Sequence, residues 1–348
     1  MEASSSTLTA FTMTVNDCAS YPAIHDSLTN LTIIFDPSSY LPSRIRAYED
    51  HLILGPSTSD VILYNYTETA GIKFARNIKL LYNEDIMLQE ILYDSVSVNP
   101  KLSSDFFAGL PEAAINQTMF GMPPMPPKAS EKYGAAEVFE NTQNMFWAGG
   151  YLGTLPAIKA IKPVPGLDNL HHLTFEDTDV YRTIVAIFDD AVMVTDAPAH
   201  QSKLVIQYIK ETFNRSVTHL LVTHHHHDHN YGAIDYVEQG AKLVVPEDFT
   251  NYWTNLPGVE FETANADQPF MYKDSKMQVR GVWHKINAHA ADWMYFTFTE
   301  ACPTAESPMG VVTADGWSPG FHPWNYGQHE VLDWLAIARA DKVARDNM

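Results

Sequence analysis

Cysteine is nearly missing from this 348-residue chain, which carries only Cys18 and Cys302. Two such distant thiols exclude a disulfide framework and a cysteine-based zinc site. Basic residues are also scarce, with 22 Lys and Arg against 42 Asp and Glu and a net charge of −20. So acidic a surface repels phosphate backbones and anionic headgroups, which argues against nucleic acid and membrane as partners. No apolar run approaches the ~18 residues of a membrane-spanning helix. The first residues, MEASSSTLTAFTMTVNDCAS, lack a basic segment followed by an apolar one, so no secretory signal is read and a cytoplasmic location is expected. Four N-x-[S/T] triplets, at Asn30, Asn65, Asn116 and Asn214, are close to chance in this composition and leave secretion open. There is no G-x-S-x-G nucleophile elbow and no glycine-rich phosphate loop.

What is present is an ordinary globular composition, 45% hydrophobic and 18% charged, with length for about two domains. Residues 31–98 hold short, partly alternating runs: LTIIFDP, SDVILYNY, GIKFARNIKLLY and IMLQEILYDSVSV. Turn-forming segments such as PSTSD and ETAG separate them. The pattern predicts an antiparallel meander over a β-rich domain at 1–118. The Pro- and Met-rich FGMPPMPPKAS marks a linker with a connecting helix over 119–164.

From residue 165 to 348 the texture is that of a layered domain. LTFEDTDVYRTIVAIFDDAVMVTDAP reads as strands, KLVIQYIKETF as a helix, HLLVT as a strand, YGAIDYVEQG as a helix and KLVVP as a strand. Later strands are MQVRGVWH, WMYFTFTE and MGVVTAD, and an amphipathic helix runs through EVLDWLAIARADKVA. Strands alternating with helices at this spacing predict an α/β layer arrangement.

The most informative stretch follows HLLVT: Thr223-His224-His225-His226-His227-Asp228-His229-Asn230. In an extended segment residues i and i+2 point the same way, so His224 and His226 can converge on one metal ion. Asp228 and His229 follow where the chain turns into a helix and can face a second ion. Imidazoles with a carboxylate suit zinc, and iron or manganese also accept that set. Asp228 is placed to take a proton from activated water. A histidine tag would lie at a terminus without an interrupting Asp, and a solvated loop needs no flanking strand and helix. His225 and His227 face away from the converging pair and are not read as ligands.

The H-x-H-x-D-H spacing of His224, His226, Asp228 and His229 resembles the metallo-β-lactamase-fold superfamily over roughly residues 165–348. The resemblance implies an α+β chain: an αββα sandwich preceded here by the antiparallel sheet domain. It implies that Asp196 in VTDAPAH braces the metal loop without being a ligand. It offers His289 in NAHAADWMYF as the third histidine of the first site, with His284 as competitor, and Asp315 in VVTADGW as the bridge between two ions. The family's further histidine on a last strand has no clear match. His322 and His329 are the remaining candidates, and the domain is read as stopping short of that strand. The N-terminal runs are similar, less specifically, to lipoprotein-carrier-like sheet modules that precede some members.

The function so implied is a metal-dependent hydrolase, with one or two zinc ions, acting on an ester, lactone, thioester or amide of a small organic molecule. Alternatives are a non-catalytic metal or ligand binder on the same fold, an iron-dependent oxidoreductase with the same ligands, and a lipid binder led by the N-terminal sheet. The aromatics Trp253, Trp283, Trp293, Trp317, Phe321, Trp324 and Tyr326 could line an apolar pocket, though core packing is the commoner use of such residues. Nothing in the sequence sets an oligomeric state.

Overall fold

The computed structural model describes residues 7–15, 19–103, 106, 153–176, 178–198, 201–285, 287–315 and 326–343. The FGMPPMPPKAS segment, Trp317, Phe321, His322 and Trp324 lie outside the described residues, as do the side chains of Tyr326 and His329. Described residues up to 106 belong to one compact unit, and those from 153 onward to a second.

The first unit is a single open sheet. Strands β1 (Leu8–Val15), β2 (Ala19–Asp26), β3 (Leu31–Phe35), β4 (Pro42–His51), β5 (Gly55–Thr69), β6 (Ile72–Tyr82) and β7 (Ile86–Leu92) pair in chain order. Every pairing is antiparallel. The predicted meander is present and is longer than the sequence signal, because β1, β2 and β4 also join it. Strand β4, PSRIRAYEDH, carries Arg44, Arg46, Glu49 and Asp50 and so lacks the apolar alternation that marks a strand. Those charges are matched across the sheet. Arg46 reaches both oxygens of Asp60 on β5 at 2.8 Å each, and Arg44 reaches the same carboxylate at 3.1 Å.

The second unit has two sheets. The first runs β8 (Ile158–Ile161), β9 (Leu170–Phe175), β10 (Thr178–Ile187), β11 (Val192–Thr195), β12 (His219–Leu221), β13 (Lys242–Pro246) and β14 (Phe261–Ala264), in chain order. It is antiparallel from β8 to β11 and parallel from β11 to β14. Strand β8 falls inside the stretch read as linker and connecting helix. The second sheet is an antiparallel set of β15 (Phe270–Lys273), β16 (Met277–Trp283), β17 (Met294–Glu300) and β18 (Met309–Val312).

Helix α1 (Gln201–Phe213) is the crossover between parallel strands β11 and β12, and it buries Val205 and Ile209 at i, i+4 spacing. The single turn α2 (His227–Asn230) follows β12, and α3 (Ala233–Val237) packs against α1 and lies on β12 and β13. Helix α4 (Tyr326–Ala340) lays Trp334, Ile337 and Ala338 on Trp293 and Tyr295. Between the sheets, Leu170, Ala186, Met193, Leu221 and Val244 meet Val279, Met294, Phe296 and Phe298. Strand β17 is therefore buried on both faces, and the layers run helix, sheet, sheet, helix. Gly281 is required here, since a Cβ on it would stand 2.6 Å from the Phe296 ring. Trp253, Trp283 and Trp293 are buried, so these three are packing residues. No helix among the described residues is long and apolar enough to cross a membrane.

Candidate metal centre

The parallel strands carry the site at their carboxyl ends, the usual place for ligand sites in such sheets. Asp196 directly follows the end of β11 at Thr195, and beyond β12 the chain passes through Val222 and Thr223 into the histidines. Asp196 adopts a left-handed backbone, with φ of 55°. That conformation costs a non-glycine residue of order 1 kcal/mol, and here it turns a carboxylate back over its neighbours. Thr223 donates from its backbone N–H and its hydroxyl to the two Asp196 oxygens, both at 2.8 Å. Asn230 donates to Asp196 at 3.2 Å and to the His224 carbonyl at 2.7 Å. The whole His224–Asn230 loop is thereby tied to one buried carboxylate.

Two other segments are brought over this loop. Met294 N–H donates to the Thr223 carbonyl at 2.7 Å, which fastens the start of β17 to the end of β12. Upstream, Asn287 accepts from the His289 backbone N–H at 2.8 Å and shapes the turn that presents His289. Trp293 donates from its indole N–H to the Ala314 carbonyl at 2.7 Å, which fixes the loop ending in Asp315. Asp315 also has a left-handed backbone, with φ of 53°.

The result is a convergence of donor atoms. Ligand atoms of His224, His226, His289 and Asp315 all lie within 4.8 Å of one another, and so do those of Asp228, His229 and Asp315. His289 Nε2 is 3.2 Å from His224 Nε2 and 3.0 Å from His226 Nδ1. Asp315 Oδ2 stands 2.8 Å from His229 Nε2, 3.3 Å from His289 Nε2 and 3.6 Å from His224 Nε2. Asp228 Oδ2 is 3.5 Å from His229 Nε2. Asp315 is thus common to both groups. Asp196 is in neither, and contacts His229 Nδ1 from behind at 3.2 Å.

Electrostatics sort these groups. Burial, with the neighbouring histidines, holds the His224 pKa well below its ordinary value, and burial also lowers that of His226. Burial opposes charge on His229 too, but hydrogen bonds to Asp196 and Asp315 prevail and raise its pKa well above normal. For Asp315, burial is outweighed by hydrogen bonds from His229 and His289, which keep its carboxyl ionised far below the usual range. The neutral His224 and His226 imidazoles beside the ionised Asp315 are in the protonation state that metal ligation requires, whereas His229 would give up its Nε2 proton on binding a metal.

His225 and His227 stand outside both groups. His225 Nδ1 donates to buried Asp292 at 2.8 Å, and His227 Nε2 lies 3.0 Å from the Tyr252 hydroxyl. His284 pairs with Asp341 at 3.3 Å. Sequence reasoning missed Thr223, Asn230 and Asp292, whose roles are hydrogen bonds across 27, 34 and 67 residues of chain.

Two facing sheets with outer helices hold a histidine loop at the strand ends, joined there by His289 and Asp315. This is a metallo-β-lactamase-like fold. No family model matches the chain, and no curated protein matches it. Among solved structures, the chain is similar to a B3 metallo-β-lactamase with an active-site glutamic acid, at 13% identity, covering 57% of this chain and 78% of that one with a TM-score of 0.41. It is also similar to BJP-1, a subclass B3 metallo-β-lactamase of Bradyrhizobium japonicum, at 16% identity, 53% and 74% coverage and a TM-score of 0.36. A third such structure is the metallo-β-lactamase SMB-1 in a complex with mercaptoacetic acid, at 16% identity, 51% and 74% coverage and a TM-score of 0.37.

Proposed function

We propose that the second unit is a metal-dependent hydrolase of small organic molecules, acting on an ester, lactone, thioester or amide. The observation that carries this reading is the sharing of Asp315 by two donor groups, one built on three histidines and one on Asp228 and His229. The donor set fits zinc, with imidazole nitrogens and carboxylate oxygens and no thiolate. In this reading His224, His226 and His289 hold one ion, Asp228 and His229 hold a second, and Asp315 serves both. A zinc ion so held supplies acidified water and polarisation of a carbonyl near neutral pH.

The chain's own residues do the rest. Asp196, accepting from His229 Nδ1–H, fixes the tautomer in which Nε2 is turned to Asp315 and Asp228. Asp228, more exposed than Asp315, presents its carboxylate to solvent, where it can orient a water molecule and receive its proton. Thr223 and Asn230 keep the loop rigid, so that ligand atoms are not rearranged between cycles.

The test is metal content with a substrate panel. Zinc-supplemented protein is expected to hold one to two equivalents and to hydrolyse members of a lactone, thioester and ester panel, with His226→Ala losing both. Protein that binds no zinc, manganese or iron overturns the reading, as does hydrolysis indifferent to Asp228→Ala.

A further inference from the structure

An exposed cation, Arg182, stands at the open end of the space between the two sheets. Along β10, Arg182, Ile184 and Ala186 share one face, because side chains alternate along a strand. Ala186 belongs to the core between the sheets, and Ile184 packs against it. On β9, His172 stands directly opposite Ile184, two residues from core Leu170. Arg182 and His172 therefore continue the apolar inter-sheet surface rather than the outer one.

That surface opens beyond β18, the edge strand of the second sheet, into a cavity of about 780 Å³. Leu170, Ile184, Met309 and Val311 give it apolar walls, Arg182 and His172 line it, and His229 and Asp315 of the candidate metal centre border it. A guanidinium exposed at the mouth of an apolar cavity stays solvated until an anion takes the place of that water. Arg182 has no carboxylate partner among the described residues. Burial lowers the His172 pKa, and the nearby Arg182 charge lowers it further, so His172 is neutral and Arg182 is the local charge. The chain's net charge of −20 does not cancel this, since salt screens distant charges beyond ~8 Å.

We propose that this cavity binds the substrate and that Arg182 receives a carboxylate on an otherwise apolar organic molecule, with His172 beside it. A guanidinium presents a planar fork of N–H donors that a carboxylate matches with two parallel hydrogen bonds. The apolar walls hold the rest of the molecule, and its scissile bond reaches His229 and Asp315 at the cavity's border. The inference rests on the hydrolase reading for the word substrate, but the binding site stands on the cavity itself.

Two measurements separate them. The first is calorimetric binding to the full, chelator-treated chain of 2-naphthoate, of neutral 2-naphthamide and of 2-naphthyl phosphate. Naphthoate is expected to bind best, Arg182→Gln to weaken it by about 10- to 100-fold, and Arg182→Lys to restore part of the loss. Circular dichroism and thermal unfolding of both variants are expected to match the parent. Equal binding of naphthoate by Arg182→Gln, preference for the amide or the phosphate, or no naphthoate binding overturns the proposal. The second is hydrolysis by the zinc-loaded chain of aryl esters with a free or a methyl-capped carboxylate. Arg182→Gln is expected to raise KM for the free acid and to leave the capped ester within about threefold. Arg182-dependent naphthoate binding without hydrolysis of any ester would sink the hydrolase reading while leaving the carboxylate site intact.

Discussion

His229 reaches Asp315 with Nε2, at 2.8 Å from Oδ2, while its other ring nitrogen contacts Asp196. One imidazole thus joins the carboxylate shared by both donor groups to the carboxylate that organises the loop. The consequence is a graded set of effects on substitution.

Metal content separates the two acidic residues. Asp315→Ala removes a donor from both groups, whereas Asp228→Ala removes one from a single group. Mass-spectrometric metal analysis is expected to show the larger loss of zinc per chain for Asp315→Ala, with Asp228→Ala keeping about one equivalent. The reverse order would mean that Asp315 does not bridge.

Asp196→Ala strips acceptors from the Thr223 backbone N–H, the Thr223 hydroxyl and Asn230, all buried. Each orphaned buried donor costs about 1–3 kcal/mol, so a loss of roughly 3 kcal/mol or more is expected. Urea unfolding of the metal-free protein reads it directly. A loss under about 1 kcal/mol would show that the loop is held by something other than this carboxylate.

Gly232 tests the approach of the histidine loop to α1. A Cβ at this position would stand 2.4 Å from Ser202 Oγ and 3.1 Å from the Ala197 carbonyl, which accepts from Gly232 N–H. Gly232→Ala is expected to cost about 1–3 kcal/mol through overpacking. Gly240→Ala, in open space but at φ of 82°, is expected to cost about 1 kcal/mol for a different reason, its left-handed backbone. Thermal unfolding of both variants checks the ranking.

Acid sensitivity of the first unit is expected from His51. Burial lowers its pKa to about 4, and its Nδ1 accepts backbone N–H groups of Ile53 and Leu54, a role open only to the neutral ring. The unfolded chain takes up a proton near pH 6.5. Between pH 6.5 and 4 the unfolded state therefore binds more protons, so stability falls as pH falls, by up to ~3 kcal/mol, and levels off below. His51→Gln is expected to flatten that slope in urea titrations followed by circular dichroism. An unchanged slope would mean that His51 is already protonated in the folded sheet.

Much of the site was legible because it is local. His224, His226, Asp228 and His229 lie within six residues, and strand and helix periodicity on either side fixes which of them converge. The alternating core positions of β16 and β10 and the aromatic run of β17 were legible for the same reason: a repeat of two needs no partner to be seen. Strand β4 was not, because its arginines are satisfied by Asp60 on another strand. His289 and Asp315 came only from resemblance to a family pattern, since neither has a local signature of ligation.

The sequence by itself determined a histidine loop between a buried strand and a helix, with acidic and cysteine-poor surroundings. Tertiary structure decided how that loop is used. It places His289 and Asp315 within reach of His224 through hydrogen bonds from Met294 and Trp293. It also sets exposed Arg182 near His172 at the mouth of a cavity on the centre's edge. Periodicity is a property of neighbouring residues and survives in the bare sequence. Convergence of side chains from separate strands exists only once the two sheets have packed.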